Sequence, residues 1–241
     1  KMDGYLMILE PFIATSNSEL LRLEIPAVFI VLMSDFPKTD GNTMFYIQRV
    51  GKSNWIFGQM LFGVKAAVSY LFGIIVISFV MVARQAYAKN IWSTVITEYV
   101  QRFPDESRSR IPLLFNDRLY NNLTPVQAFL ITVTMLLLYL ICLELMLLVG
   151  FAMGKRMIGM IISYTVIAVG SSLCGLDSAA KWLFPSAHSI AWVHFDPVLR
   201  IQKVHIGYSY LDFGVLFVML FVFSLIRIGR YDFAKITDME D

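Results

Sequence analysis

The sequence predicts an all-α membrane protein, a polytopic bundle of about five transmembrane helices. Apolar residues make up 57% of the 241-residue chain and charged residues only 16%, where an average soluble domain is about a quarter charged. The mean hydropathy is +0.65. Several apolar runs reach the roughly 20 residues that a helix needs to cross about 30 Å of hydrocarbon.

Four runs meet that length: residues 59–82, 128–151, 157–176 and 211–228. A fifth, 19–34, is shorter and carries Arg22, Glu24 and Pro26 near one end, so it spans only if those charges sit at the interface. Upstream of it, residues 5–14 are apolar but broken by Glu10 and Pro11, which predicts an interfacial or half-buried segment.

Alternation of the spans places 35–58, 152–156 and the tail 229–241 on one side. The two long loops, 83–127 and 177–210, fall on the other. Lys38, Arg49, Lys52, Lys155, Arg156, Arg230 and Lys235 make the short set roughly twice as dense in basic charge, and the positive-inside rule makes that side cytoplasmic. Lys1 then lies outside and Asp241 inside, so an upstream helix and six spans in all are expected.

Both outer loops carry pattern. Over 87–103, Ile91, Trp92, Val95, Ile96, Tyr99, Val100 and Phe103 recur on one side, with Lys89, Ser93, Thr97, Glu98 and Gln101 on the other, predicting an amphipathic helix on the membrane that Pro104 and Asp105 terminate. Residues 177–210 are rich in aromatic and small side chains, among them Trp182, Phe184, Trp192 and Phe195. That composition suits an outer re-entrant or interfacial hairpin.

Several function classes are disfavoured. A formal net charge of +2, with scattered basic residues, leaves no nucleic-acid footprint. Cys142 and Cys174 lie inside apolar runs without a CxxC or Cys/His spacing, as buried, inert thiols do. His188, His194 and His205 share a loop with Asp177 and Asp196, yet no HExxH spacing occurs; locally hydrogen-bonded histidines are expected there, and no metal site. Asn122-Leu123-Thr124 matches a glycosylation sequon, a weak pattern that Pro125 follows at once. No GxxxxGK[ST] segment is present, so the chain has no phosphate cradle for a nucleotide.

The connection 35–58 joins two spans and still has helical pattern. Asn42 or Thr43 caps a helix over 43–58, with Met44, Ile47, Gly51 and Trp55 on one face and Arg49, Lys52 and Ser53 turned away. Such a helix lies along the inner leaflet. It serves either as an interfacial anchor or as a docking element.

The stretch R-V-G-K-S-N-W-I-F-G-Q, Arg49 to Gln59, leading straight into a span, resembles the coupling-helix region in permeases of type-2 ATP-binding-cassette exporters of Gram-positive bacteria. That resemblance implies six spans in the bacterial cytoplasmic membrane, with the coupling helix between the second and third. It also implies a short inner turn, where Gly154, Lys155 and Arg156 fall, and a re-entrant segment before the last span, where 177–210 falls. By the same resemblance Phe45, Tyr46, Arg49, Lys52 and Trp55 contact a separate ATPase subunit. ATP and Mg would sit on that subunit, the chain itself would bind no cofactor, and a second permease copy, identical or related, would complete the path. A peptide, lipid-like or drug-like substrate is implied. The departures are the missing first span and the length of 83–127.

Lys65 and Glu144 each lie about 10 Å from the inner end of their spans at ~1.5 Å per residue. An ionised group at that depth costs several kcal/mol, which favours an ion pair lining a path or a structural pair, or Lys65 snorkelling to the interface. Two other functions remain compatible with the sequence. One is an intramembrane enzyme built on Glu144 or the histidine loop, and the other is a non-transporting scaffold or immunity protein.

Overall fold

The computed structural model describes residues 5–18, 21–39, 42–102, 115–176, 178–196, 199, 201–231 and 233. In chain order the helices are α1 (Glu10–Asn17), α2 (Glu24–Leu32), α3 (Thr43–Val50), α4 (Lys52–Val82), α5 (Thr94–Arg102), α6 (Asp117–Asn122), α7 (Pro125–Ala152), α8 (Arg156–Gly175), α9 (Pro185–Ser189) and α10 (Ile206–Gly229). Strands β1 (Leu6–Met7) and β2 (Ala86–Tyr87) pair in parallel.

Among the described residues, four helices are long and apolar enough to cross a membrane: α4, α7, α8 and α10. They enclose the apolar runs 59–82, 128–151 and 211–228, and α8 covers all of 157–176 but its last residue. Helix α7 is the hub, with 78% of its most apolar stretch buried against 17% in α4 and in α10. Leu140, Leu143, Leu145 and Leu147 are fully or almost fully buried around it, while α4 and α10 turn wide apolar faces outward, Phe72, Met81, Leu211 and Met219 among them. Its start is set locally. Thr124 Oγ1 accepts the Gln127 amide at 3.5 Å and Gln127 Oε1 accepts the Thr124 amide at 3.1 Å, a capping box with Pro125 at the first helical position.

The expected span 19–34 takes another form. After a short turn at Leu21–Leu23 comes α2, nine residues long and about 14 Å in length, under half the hydrocarbon thickness. Polar Ser34 and Asp35, then Pro37, stop the helix, and Arg22 is held by the Ser171 carbonyl at 2.7 Å. Helices α1 and α2 pack as a broken segment against α7, α4 and α8, burying Phe12, Phe29 and Ile30.

The expected helix 43–58 is two helices. Gly51 has φ 84° and ψ 153°, a backbone region open essentially to glycine alone, so the chain turns between α3 and α4. Trp55 and Lys52 consequently belong to the long helix. The outer helix expected over 87–103 is shorter as well: β2 and a turn occupy 86–93, and α5 begins at Thr94. Residue 103 lies outside the described residues.

Candidate functional site

Two constellations stand at opposite ends of the bundle, and one buried carboxylate lies between them. At the basic end, α3, the start of α4, the α7–α8 turn and the end of α10 converge on Ile47, Trp55, Ile56, Phe151, Ile228 and Phe233. Trp55 lies 5.7 Å from the Phe151 ring and 5.4 Å from that of Phe233. Lys52 Nζ donates to the Tyr231 carbonyl at 2.7 Å and the Gly229 carbonyl at 3.3 Å, a cation on the carbonyl end of α10 where the helix dipole favours it. Arg156 donates to the Pro37 carbonyl and to Thr39 Oγ1, at 2.9 and 3.2 Å. It thereby ties α8 to the segment leading into α3.

The sequence-predicted contact residues therefore divide. Phe45 and Tyr46 are 71% and 61% exposed, and Arg49 is exposed beside them, while Ile47 anchors α3 from its other face. Lys52 and Trp55 are spent inside the bundle's own packing. Gly154, with φ 70°, and Lys155 form the exposed turn, and Arg156 is half-buried behind it.

Lys65 and Glu144 do not meet. Glu144 is fully buried, its carboxyl group lies where a side chain at Gly63 would be, and neither oxygen has a hydrogen-bond partner. Lys65 is exposed. It follows Gly63 by two residues, about 200° around α4, so equal depth puts the two groups on opposite faces.

At the other end, 179–194 folds back as two 3-10 turns flanking α9. This hairpin packs against α7, α8 and α10. A side chain at Gly170 would overlap Ser186, which places the hairpin about 7.5 Å below the end of α8. Its polar centre is a serine between two histidines. Ser209 Oγ lies 2.8 Å from His188 Nδ1 and 2.7 Å from His194 Nε2. Nε2 of His188 faces the Trp182 carbonyl at 2.9 Å and Asp212 Oδ2 at 3.6 Å. His194 Nδ1 lies 3.1 Å from the Ile190 carbonyl, and burial pushes its pKa down to about 4. A neutral ring donates from Nδ1 to that carbonyl and accepts the Ser209 proton at Nε2.

Asp212, His188 and Ser209 follow the order of a hydrolytic triad, but Ser209 is fully buried and both rings hold its oxygen. These contacts join the hairpin to α10. His205 stands apart: its Nδ1 accepts the Gly207 amide at 3.0 Å and caps α10. Among the described residues no three His, Cys, Asp or Glu side chains are grouped to hold a metal ion, and Asp177 lies outside them. Sequence reasoning missed Ser209, Asp212 and Asn17. For Ser209 and Asp212 the signal was a polar residue among apolar and aromatic neighbours; Asn17 sits in the polar stretch Thr15 to Glu19 and gave none. Asn17 bonds Thr132 Oγ1 at 2.9 Å and accepts the Ala191 amide at 3.1 Å, joining α1 and α7 to the hairpin.

No family model, curated protein or solved structure matches the chain. What the fold defines is a class: a mainly helical membrane protein whose described residues include four helices long and apolar enough to cross a membrane, three of them packed around the buried fourth, α7.

Proposed function

We propose that the chain is the membrane-spanning permease subunit of a type-2 ATP-binding-cassette exporter of the bacterial cytoplasmic membrane. In this reading it works beside a second permease copy and a separate ATPase subunit that carries ATP and Mg, and it moves a peptide, lipid-like or drug-like substrate. The observation that carries the reading is α3: a short helix anchored by Ile47, with Phe45, Tyr46 and Arg49 projecting outward, and joined through Gly51 to a 31-residue helix.

The mechanics follow from that joint. At about 46 Å, α4 exceeds the hydrocarbon by roughly 16 Å, so its first turns project beyond the lipid together with α3. A cytosolic ATPase gripping Phe45, Tyr46 and Arg49 would push on α3. Lys52 on the carbonyls of α10 and Arg156 on residues 37 and 39 make α3, α4, α8 and α10 move together at that end. Rigid elements transmit such a displacement to the far face. The exposed apolar faces of α4 and α10 are the surfaces available to lipid and to the second copy.

The test is co-purification with a nucleotide-binding subunit whose hydrolysis responds to this chain. Phe45→Ala with Tyr46→Ala, or Arg49→Glu, is expected to lower substrate-coupled hydrolysis at least tenfold while membrane insertion and melting temperature are retained. Coupled hydrolysis unchanged by both variants contradicts the proposal, as does a stable chain that binds no such subunit.

A further inference from the structure

Between the broken N-terminal segment and the hairpin lies a small polar cavity of about 10 Å³, lined by Ser16, Arg22, Tyr139, Ser171, Ser186 and Ser189 with three aliphatic side chains. That volume admits one water-sized sphere. Two donors in its wall are buried without a partner, Ser16 Oγ and Arg22 Nη1. The remaining bonds around it are spoken for. Tyr139 and Ser186 share a hydrogen bond of 2.8 Å, Ser186 donates onward to the Val166 carbonyl at 3.2 Å, Ser189 donates to the Ser186 carbonyl at 2.7 Å, and Arg22 Nη2 donates to the Ser171 carbonyl at 2.7 Å.

Charge decides what belongs there. Arg22 is a permanent cation, and among the described residues its hydrogen-bonded partner is the neutral Ser171 carbonyl. A water in the cavity would satisfy the hydroxyl and one guanidinium hydrogen yet bring no charge to the half-buried cation. A monatomic anion satisfies both donors and the charge at once.

We propose that this cavity is a halide site, occupied by chloride, with Arg22 Nη1 and Ser16 Oγ as its donors. Its two donors come from α1 and from the turn before α2, so the bound ion ties those two pieces of the N-terminal segment together in a pocket walled by Tyr139 of α7, Ser171 of α8 and Ser186 of the hairpin. The site is independent of the ATPase contact at the other end.

The experiment uses the full chain in phosphatidylcholine nanodiscs in sodium gluconate, titrated with sodium chloride or bromide at constant ionic strength. The melting temperature is expected to rise saturably with either halide. Ser16→Ala is expected to weaken the apparent affinity about tenfold, one hydrogen bond to a charged group, and Arg22→Gln to abolish the rise. Sulfate is expected to be without effect. A wild-type chain that melts identically in chloride and gluconate overturns the site, as does a halide response that Arg22→Gln retains. A rise seen only with phosphatidylglycerol and lost in Arg22→Gln overturns the halide in favour of a lipid phosphate. Bromide anomalous scattering within hydrogen-bond reach of Arg22 Nη1 is the direct positive result.

Discussion

The carboxyl group of Glu144 on α7 lies in the notch that Gly63 leaves on α4, so that a Cβ at residue 63 would overlap it. Gly63→Ala is therefore expected to destabilise the bundle by about 1–3 kcal/mol through overpacking. Adding Glu144→Ala should recover most of that loss. Glu144→Met alone, similar in length and without the two unpartnered oxygens, should raise the melting temperature. Thermal unfolding in nanodiscs reads all three, and a double variant no more stable than Gly63→Ala would contradict the contact.

Gly51 sets the angle between α3 and α4. With φ 84° and ψ 153°, Gly51→Ala is expected to cost about 1–3 kcal/mol. Gly58→Ala is the control, because a Cβ there meets nothing within 4 Å and alanine is the better helix former by roughly 1 kcal/mol. Equal effects of the two substitutions on thermal stability would remove the strained joint.

His194 makes stability depend on pH in one direction. Its pKa is about 4 in the folded protein and about 6.5 when unfolded, so between those values the unfolded chain binds the extra proton. Stability is full above pH ~6.5, falls as the pH drops toward 4, and is then level, a loss of roughly 3 kcal/mol from this group. Melting curves from pH 7.5 to 4 should show that slope in the wild type and a shallower one in His194→Asn. Parallel slopes would show that His194 is not a buried neutral ring.

Glu10 fastens the N-terminal segment to the loop after α4. Its carboxylate accepts the Met7 amide at 3.0 Å and the Ser93 amide at 2.6 Å while 1% exposed. Burial raises its pKa, opposed by the hydrogen bonds from Ser93 and Met7. Glu10→Ala strands two buried amides at ~1–3 kcal/mol each. Hydrogen exchange at Met7 and Ser93 should accelerate by at least tenfold, and unchanged protection would refute the link.

The long helices were legible because a membrane-length helix is written in one apolar run, and α4, α7 and α10 contain theirs while α8 misses only residue 176. The fold's breaks were harder to read. Gly51 looks like one more small residue on the face shared by Ile47 and Trp55 until its φ is known. Lys65 and Glu144 have matching depths along their helices, but depth says nothing about which way each helix is turned. Residues 19–34 have the composition of a span; what shortens the helix is polar Ser34 and Asp35 before Pro37, together with a tertiary bond from Arg22 to Ser171. The aromatics of 177–210 pointed to an interfacial segment, of which 179–194 is the part that folds back and 206–210 belongs to α10, whereas the Ser209 bridge between His188 and His194 depends on residues 15 to 21 positions apart that no local pattern connects.

The proposed function requires α3 to face the cytosol, and sided labelling tests this most directly. The native cysteines are both buried, so a Gln48→Cys variant, at an exposed position of α3, offers one accessible thiol to a membrane-impermeant maleimide. The account predicts labelling only after the cells are permeabilised. Full labelling of intact cells would contradict it, because an ATPase in the cytosol could then never touch Phe45, Tyr46 or Arg49.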